Sequence, residues 1–328
     1  MIKAPPPRAY RPTFVPTIML VAVTLLWGLS FPLMKNWLEA SRQCPGGIPV
    51  AILTLIALRM FLALAVLGVF RPGLFGGLTR RECNIGVLIG AVFFLGYALQ
   101  VLGLVWTTPA MSAFITSLGS AWVPVLAWLW FRATMPRLTR AGLGLGVAGT
   151  VMLGLADVKE GSWGQGELVT AVASLVFAVE ILLLDRLGRT VRPERLTVPF
   201  FAAAAFLALP CAAVFAWSKG HVADWLTWTA AMLEDGAVLR DIALLTLLST
   251  VLAFYWMNVY QPRITAWRAA LIYLLEPVFG TAFSIAWGHD SLTLRLVAGG
   301  GLILMGNAVV ELPGWLGVFD KDEADRDY

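Results

Sequence analysis

Residues 271–283 read LIYLLEPVFGTAF, and this stretch places an acid, Glu276, beside a proline, Pro277, in the middle of an apolar run. An ionised glutamate resists burial, and a proline removes one hydrogen bond from a helix. Neither residue is expected inside an ordinary apolar helix. The role of the pair depends on the solvent that surrounds it, and the composition of the chain indicates which solvent that is.

The composition indicates lipid. Of 328 residues, 59% are hydrophobic and 13% are charged, whereas a soluble domain carries about 25% charged residues. So few polar groups cannot cover a water-facing surface. Three scattered cysteines predict no disulfide framework, and two distant histidines predict no metal site. We expect no cofactor, and the placement of the basic residues argues against nucleic acid as a partner.

Ten stretches are apolar enough to cross a membrane as helices. These spans, numbered 1 to 10, are residues 17–36, 50–70, 85–105, 108–130, 139–157, 166–185, 197–217, 239–260, 265–287 and 292–311. Spans 3 and 4 form one apolar stretch, which we divide at Thr107-Thr108-Pro109 because proline is best placed in the first turn of a helix. The sequence therefore predicts an all-α integral membrane protein with ten transmembrane helices.

Lysine and arginine in the connections predict the orientation. Seventeen of the 24 basic residues lie on the side that holds both termini, six lie on the other side, and Arg59 lies inside a span. Because basic connections remain in the cytoplasm, we expect both termini there, in a multi-pass protein of the bacterial inner (plasma) membrane. Residues 1–16 are then a cytoplasmic tail, and residues 312–328 form an acidic tail.

The two halves of the chain resemble each other. Pro124 recurs 153 positions later as Pro277, and Gly146 recurs 154 positions later as Gly300. This alignment places span 4 on span 9 and span 5 on span 10, so residues 17–157 and 158–311 form two repeats of five helices. An odd number of helices inverts the second repeat. Inverted repeats with a substrate site near the midplane are typical of secondary transporters.

The chain also resembles the drug/metabolite transporter superfamily, in particular the EamA type. The resemblance covers about residues 17–311, and it is carried by Trp27-Gly28-x-x-Phe31, Ala57-Leu58-Arg59, Ala269-Ala270-Leu271, Leu275-Glu276-Pro277-Val278, Leu292-Thr293 and the glycines of span 10. It implies two inverted five-helix repeats that export small metabolites such as amino acids. It also implies a central cavity lined by spans 1, 3, 4, 6, 8 and 9, with spans 5 and 10 at the periphery.

The chain departs from the family pattern at one feature. The family usually ends spans 4 and 9 with an acidic pair such as Gly-Glu, whereas Arg132-Ala133 and His289-Asp290 stand here. The chain therefore does not carry the family's usual pair at the ends of spans 4 and 9.

Three charged residues, Arg59, Glu180 and Glu276, lie at mid-depth in the predicted spans. A charge at the bilayer centre costs at least about 2.5–3.5 kcal/mol, and such residues often carry function. We interpret all three as candidates for proton or charge coupling. For Glu276 the alternative is a structural acid, most simply an ion-pair partner of Arg59. For Glu180 the alternative is a side chain that reaches toward the cytoplasmic end.

Proline and glycine predict hinges. Pro277 has no N–H, so the carbonyl of Tyr273 loses its helical partner and the helix weakens beside Glu276. Span 1 offers a second break at Gly28 and Pro32. An ordinary proline kink, repaired by a nearby serine, is the alternative there.

Aromatic and polar residues predict a substrate pocket. Tyr97 and Gln100 are three residues apart, as are Tyr255 and Asn258, so each pair shares a helix face. Such groups suit an amphipathic ligand, including an ammonium held over an aromatic ring, although helix packing explains each residue taken singly. The predicted set is Trp27, Ser30, Tyr97, Gln100, Thr116, Trp122, Tyr255, Asn258 and Tyr273.

Glycines in spans 5 and 10 predict helix packing rather than nucleotide binding. Gly142-x-Gly144-x-Gly146-x-x-Gly149 follows no strand and lies within a span. Together with the glycines of span 10 it is expected to support the fold of a monomer or the contact of a homodimer.

The sequence favours a secondary transporter that exports amino acids or related amphipathic metabolites by alternating access, with a small-molecule substrate and membrane lipid as partners. A translocator of nucleotide sugars or phosphate esters is the nearest alternative, but it needs several basic residues at mid-depth. A membrane enzyme acting on lipid would need clustered carboxylates or histidines, so we expect no enzyme.

Overall fold

The computed structural model describes residues 14–132, 135–157, 164–286 and 292–315, which form helices joined by short turns. Nine helices in this part of the chain are long and apolar enough to cross a membrane. They are Phe14–Ala40 (span 1), Ile48–Phe70 (span 2), Arg80–Leu104 (span 3), Pro109–Phe131 (span 4), Gln165–Gly188 (span 6), Pro193–Ser218 (span 7), Gly236–Arg263 (span 8), Ala266–Ala286 (span 9) and Leu294–Leu312 (span 10).

A further helix, Arg137–Asp157, stands at the predicted span 5, and a short helix, Val222–Glu234, connects spans 7 and 8. The prediction of an all-α integral membrane protein is confirmed, while the count of ten membrane-crossing helices stays a prediction. Most of the two predicted tails lies outside the described residues, as do Ala133, His289 and Asp290 of the family's acidic-pair positions.

Local sequence explains where spans 3 and 4 begin. Thr79 accepts a hydrogen bond from the Glu82 N–H, and the Glu82 carboxylate accepts one from the Thr79 N–H, which together cap span 3. Span 4 begins at Pro109, with Thr108 accepting from the N–H of Met111. The predicted division between the two spans at Pro109 is therefore confirmed.

Spans 4 and 9 are each interrupted near the middle. Span 4 consists of Pro109–Ser117 and Gly119–Phe131, and span 9 of Ala266–Tyr273 and Glu276–Ala286. Pro277 lies in the first turn of the second segment of span 9, where its missing N–H disrupts no bond within that segment. The two interrupted helices occupy the positions that the sequence alignment of the halves equates, as discontinuous helices do in many transporters.

Span 1, in contrast, runs without interruption through Pro32, so the break predicted there is not observed. Ser30 donates to the carbonyl of Trp27 at 2.7 Å rather than to that of Gly28. Gly28 serves close helix packing, because a Cβ at this position would lie 2.8 Å from the backbone nitrogen of Gly280 in span 9. Hinge motion at Gly28 and Pro32 stays a prediction.

Span 8 changes its helical form along its length. Residues Leu245–Leu252 form a π-helical segment between two α-helical segments, Gly236–Leu244 and Ala253–Tyr260. Within it, the Thr250 hydroxyl donates to the Leu245 carbonyl at 2.8 Å. Such segments are often found at functional sites.

Spans 5 and 10 pack against each other through glycine. A Cβ on Gly149 would lie 2.4 Å from the carbonyl oxygen of Gly299, and one on Gly142 would lie 2.7 Å from that of Gly306. These four glycines support the fold within one chain. Gly144 faces away and would meet nothing within 4 Å, so a homodimer through this helix pair stays a prediction.

Span 1 is tied to its neighbours on the side predicted to be external. The ammonium of Lys35 donates to the carbonyls of Leu104 and Thr107 at 2.9 and 3.0 Å. The amide of Asn36 donates to the carboxylate of Asp241 at 2.8 Å. These contacts, which we call the outer clamp, hold the end of span 1 against span 3 and the start of span 8.

On the opposite side, spans 1, 9 and 10 meet at a buried carboxylate. Glu311 of span 10 forms an ion pair with Arg268 of span 9 and accepts a hydrogen bond from Thr17 of span 1 at 2.9 Å. A buried acid with this many partners stabilises the packing of the helices around it.

Candidate functional site

A central cavity lies where the two interrupted helices meet spans 1, 2, 3, 6 and 8. It contains about 710 Å³ of empty space, counted together with its opening. Among the described residues, its lining comes from the six spans that the resemblance implied and, in addition, from span 2. Spans 5, 7 and 10 contribute no described lining residue.

The structure brings most of the predicted site residues together. The cavity is lined by Trp27, Ser30, Tyr97, Gln100, Thr116 and Tyr273, and by all three predicted charged residues, Arg59, Glu180 and Glu276. Pro277 follows Glu276 at the break in span 9.

Three predicted pocket residues lie elsewhere. Trp122 is 44% exposed on the outer surface of span 4, where a membrane would present lipid. The Tyr255 hydroxyl accepts from Arg71 at 2.9 Å. The buried Asn258 donates to Thr197 at 3.3 Å, so the face that Tyr255 and Asn258 share is directed toward spans 2 and 7.

The cavity-facing residues of span 8 are offset by one position from the predicted pair. They are Ser249, Phe254, Met257 and Gln261. The π-helical segment, which contains Ser249 and ends at Leu252, changes the number of residues per turn before the other three residues. The sequence carries no clear signal of that change. Sequence reasoning also missed Phe93, Phe177, Ser117 and Ser120, since phenylalanine and serine are common in apolar helices that have no site.

Two hydrogen-bonded groups join the helices around the cavity. The Gln100 amide donates to the Thr116 hydroxyl at 3.0 Å, which links spans 3 and 4. The Tyr273 hydroxyl donates to the side-chain oxygen Oε1 of Gln261 at 2.7 Å. The side-chain nitrogen Nε2 of Gln261 donates to the backbone carbonyl of Ile181 at 3.0 Å. Gln261 therefore links spans 9, 8 and 6.

Arg59 is a fully buried cation, and one of its guanidinium nitrogens has no hydrogen-bond partner in the described part of the chain. Its side chain is 1% exposed, and its Nε and Nη2 donate to the Thr250 hydroxyl at 3.0 and 2.8 Å. Its guanidinium carbon lies 5.0 Å from the centre of the Tyr97 ring, a distance typical of cation–π contacts. Its Nη1 has no partner among the described residues. The ion pair between Arg59 and Glu276 that the sequence suggested does not form.

Glu180 and Glu276 are buried carboxylates without a cation. They are 5% and 7% exposed, and neither forms an ion pair within the described part of the chain. The Oε1 of Glu180 is fully buried and has no hydrogen-bond donor, so this side chain does not reach toward the cytoplasmic end. Glu276 begins the second segment of span 9, where the helix N-terminus favours a negative charge.

Aromatic rings form a continuous row along the cavity. The Trp27 ring lies 5.3 Å from the rings of both Tyr273 and Phe254. Phe254 contacts Phe93 at 4.7 Å, and Phe93 stacks on Tyr97 at 5.2 Å. We call these five rings the aromatic floor, which offers an apolar surface between polar groups.

Comparisons with known proteins agree with this arrangement. Residues 164–312, which include spans 6 to 10, match the family described as "EamA-like transporter family". An uncharacterized transporter of Archaeoglobus fulgidus is 27% identical over 293 residues, covering 89% of this chain and 84% of that protein. A solved crystal structure of a protein matches with a TM-score of 0.65 and 19% identity, covering 92% of this chain and 98% of that one, which shows a shared fold.

The second half of the chain thus carries an EamA-like transporter domain, and the chain as a whole has a transporter as a relative along most of its length. Together with the apolar helices, these matches support the resemblance drawn from the sequence: the chain is a multi-pass membrane protein that is similar to transporters.

Proposed function

We propose that the protein is a secondary transporter that exports amino acids or related amphipathic metabolites across a bacterial inner membrane by alternating access. The observation that carries this proposal is the central cavity, which lies between the two interrupted helices and combines aromatic rings with polar groups. A cavity of this kind between repeats suits a solute with an apolar body and a few polar groups.

Alternating access requires contacts that open on one side of the cavity while others close. The outer clamp of span 1 would have to separate for the cavity to open to the exterior. On the other side, the bonds of Gln261 to Tyr273 and Ile181 would have to separate for it to open to the cytoplasm. Neutral hydrogen bonds are worth about 0.5–1.5 kcal/mol each, and those to charged groups, as in the outer clamp, about 1.5–3 kcal/mol each. The bonds that open on one side can therefore be offset by those that close on the other.

A gradient can drive such a cycle. Moving one elementary charge through the membrane potential is worth about 2.3 kcal/mol per 100 mV. This free energy is comparable with that of one or two of the hydrogen bonds that close each side of the cavity. Glu276 is the carboxylate best placed to carry a proton, because it lies in the cavity at the break in span 9. In this proposal it loads and releases a proton as span 9 changes shape.

The alternative of a phosphate-ester translocator is disfavoured by the charges. The described cavity lining holds one cationic side chain, Arg59, against two carboxylates, Glu180 and Glu276, and the carboxylates would repel a doubly charged phosphate group.

Reconstitution into liposomes tests the transport function. Liposomes preloaded with an unlabelled amino acid should accumulate the same labelled amino acid by counterflow, whereas protein-free liposomes should not. Inside-out vesicles with an imposed proton gradient should accumulate the solute if the direction is export. A complete absence of exchange for every amino acid and amine tried would overturn the proposed function.

A further inference from the structure

The π-helical segment of span 8 lies between two contacts that close opposite sides of the cavity. On the outer side, Asp241 of span 8 accepts a hydrogen bond from Asn36 in the outer clamp. On the predicted cytoplasmic side, Gln261 of span 8 bonds Tyr273 and the backbone of Ile181. A change in the helical form of the segment would therefore turn one closing contact relative to the other.

The segment holds more residues per turn than an α-helix does. The Ala253 N–H donates to the carbonyl of Leu248, five residues back, whereas the bonds of an α-helix join residues four apart. If the outer part of span 8 stays in the clamp, conversion of the segment to α-helix turns every later residue by about one position, or about 100°. Each later residue then lies near the place that its following neighbour now holds.

Two features of the cavity would change together in such a turn. Gln261 would leave both of its partners, so the contacts that close the cytoplasmic side would separate. Phe254 joins the rings of Trp27 and Phe93 in the aromatic floor. The small side chain of Ala253 would take the place of Phe254, which would widen the cavity.

Side chains hold the segment in its π-helical form. The Thr250 hydroxyl donates to the Leu245 carbonyl, also five residues back, and accepts from Nε and Nη2 of Arg59 at 3.0 and 2.8 Å. The Ser249 hydroxyl donates to the Leu26 carbonyl of span 1 at 2.6 Å. Because π-helical segments are rare and hydrogen bonds from an ionised donor are among the strongest, we expect the bonds of Arg59 to contribute most.

We propose that span 8 opens the cytoplasmic side of the cavity by converting its π-helical segment to α-helix, with the bonds of Arg59 to Thr250 as the latch. This inference rests on the proposed alternating access and names the device that performs one of its steps. Arg59 also lines the cavity, so the latch lies where a solute would bind. Register shifts of helices take microseconds to milliseconds, which is fast enough for a transport cycle.

Two cysteine pairs distinguish the two forms of span 8. With the native cysteines replaced, Tyr273→Cys is combined with Gln261→Cys, its neighbour in the π-helical form. In the second pair it is combined with Tyr260→Cys, its neighbour after the turn. A bifunctional thiol reagent should cross-link both pairs in proteoliposomes containing the full chain. Cross-linking in the Gln261 pair alone, or in neither pair, would overturn the inference.

Variants without the latch test its role. Thr250→Val removes the acceptor of Arg59, so the yield of the Tyr260 pair relative to the Gln261 pair should rise about tenfold or more. Arg59→Met should raise this ratio by a similar factor, and the double variant should raise it no further, because both changes remove the same bonds. Thr246→Val, at a hydroxyl without a partner among the described residues, should leave the ratio unchanged.

Thr250→Ser keeps the hydroxyl and should keep the wild-type ratio, which separates the bond from the fold. A ratio unchanged in Thr250→Val, or raised equally in Thr246→Val, would overturn the latch. Cross-linking needs no transported solute. Normal counterflow without the turn would therefore leave transport standing, whereas the turn without counterflow of any solute would overturn the proposed function and leave the two forms of span 8 established.

Discussion

Glu180 and Glu276 are two acids at one end of the cavity, but their backbone surroundings differ. Glu180 lies inside the continuous helix Gln165–Gly188, whose backbone offers it no free donor, whereas Glu276 begins a helical segment. A helix N-terminus stabilises a nearby negative charge by about 0.3–1 kcal/mol. This difference is one reason that we assign the proton to Glu276 rather than to Glu180.

Glu276→Gln tests the proton assignment. Glutamine keeps the size of the side chain but cannot exchange a proton, so counterflow should stay within about twofold of wild type while the response to an imposed pH gradient is lost. The measurement compares both assays in the same proteoliposomes, with Glu234→Gln, at an exposed acid outside the cavity, as the control. A pH-gradient response equal to that of wild type would assign Glu276 to packing.

Gly28→Ala tests the contact between spans 1 and 9. A Cβ at Gly28 would lie 2.8 Å from the backbone nitrogen of Gly280 and 2.9 Å from the Cβ of Phe279, so the two helices must separate. We expect a loss of about 1–3 kcal/mol in stability, measured as a lower thermal unfolding temperature in detergent.

Gly144→Ala is the matched control for that variant, because a Cβ at Gly144 would meet nothing within 4 Å. In a helix this change should stabilise by about 0.5–1 kcal/mol. Equal effects of the two substitutions would show that helix propensity, rather than the contact between spans, decides the result.

Individual cavity residues were predictable from the sequence where a single free-energy cost, that of placing a charge in lipid, dominates. Arg59, Glu180 and Glu276 stood out because charge at mid-depth is expensive in lipid, and all three line the cavity. Their partners were not predictable. The acceptor of Arg59 is the Thr250 hydroxyl, and threonine in an apolar helix gives no sign of whether it bonds its own backbone or a distant guanidinium.

At the scale of helices, the π-helical segment of span 8 provides that acceptor. Thr250→Val should leave Nε and Nη2 of Arg59 without an acceptor, because the Thr250 hydroxyl is their only described partner. Leaving buried donors unpaired costs about 1–3 kcal/mol each, and more when they are charged. We therefore expect a clear fall in thermal stability.

Thr246→Val is the internal control for this substitution. Thr246 lies in the same segment and is equally buried, but its hydroxyl has no hydrogen-bond partner in the described structure. Its replacement should be neutral or slightly stabilising. A fall as large as that of Thr250→Val would indicate that β-branched packing, not the bond to Arg59, explains both results.

The break in span 9 also makes a testable claim. Pro277→Ala restores an N–H that can bond to the Tyr273 carbonyl and bridge the two helical segments. We expect higher thermal stability but slower counterflow, by about tenfold, because the bridged helix resists bending. Pro124→Ala, at the position equated with Pro277 but inside one helical segment, should leave the rate nearly unchanged, and an equally slow rate there would contradict this account.

Helix boundaries were largely predictable, whereas helix faces were not. Span ends follow from apolar length and from signals such as Pro109, which begins span 4 as expected. The side of span 8 that faces the cavity depends on the π-helical segment, so the predicted pair Tyr255 and Asn258 is displaced by one position from the residues that line it. The periodicity of apolar residues in a membrane helix is too weak to reveal a displacement of one position in the face that lines the cavity.

At the scale of the whole molecule, the cavity is surrounded by helices from both predicted repeats, while spans 5 and 10 pack tightly on each other through Gly142, Gly149, Gly299 and Gly306. We infer that this glycine pair is a rigid brace and that motion is concentrated in span 8 and in the interrupted spans 4 and 9. The alignment of the halves could be read from the sequence, but the identity of the residues that close each side could not, because such contacts join distant parts of the chain.

Labelling of an introduced cysteine requires that the native cysteines of the protein react little with the reagent. Cys44 lies buried in the connection between spans 1 and 2, and burial raises the pKa of its thiol to about 12, so it should react slowly. Cys83 and Cys211 are partly exposed and should be replaced by serine or alanine. Ser120→Cys then places one thiol in the cavity at the break in span 4, and Trp122→Cys provides a control on the outer surface.

The most direct test of alternating access labels Ser120→Cys with a membrane-impermeant maleimide from each side of the membrane. Labelling from both sides is expected in the free protein, and none in Trp122→Cys. The outer clamp is then locked by cross-linking Asn36→Cys to Asp241→Cys with a short bifunctional thiol reagent. We predict that the locked protein is labelled only from the cytoplasmic side; labelling from neither side before locking, or from both sides after it, would contradict a cavity that opens alternately.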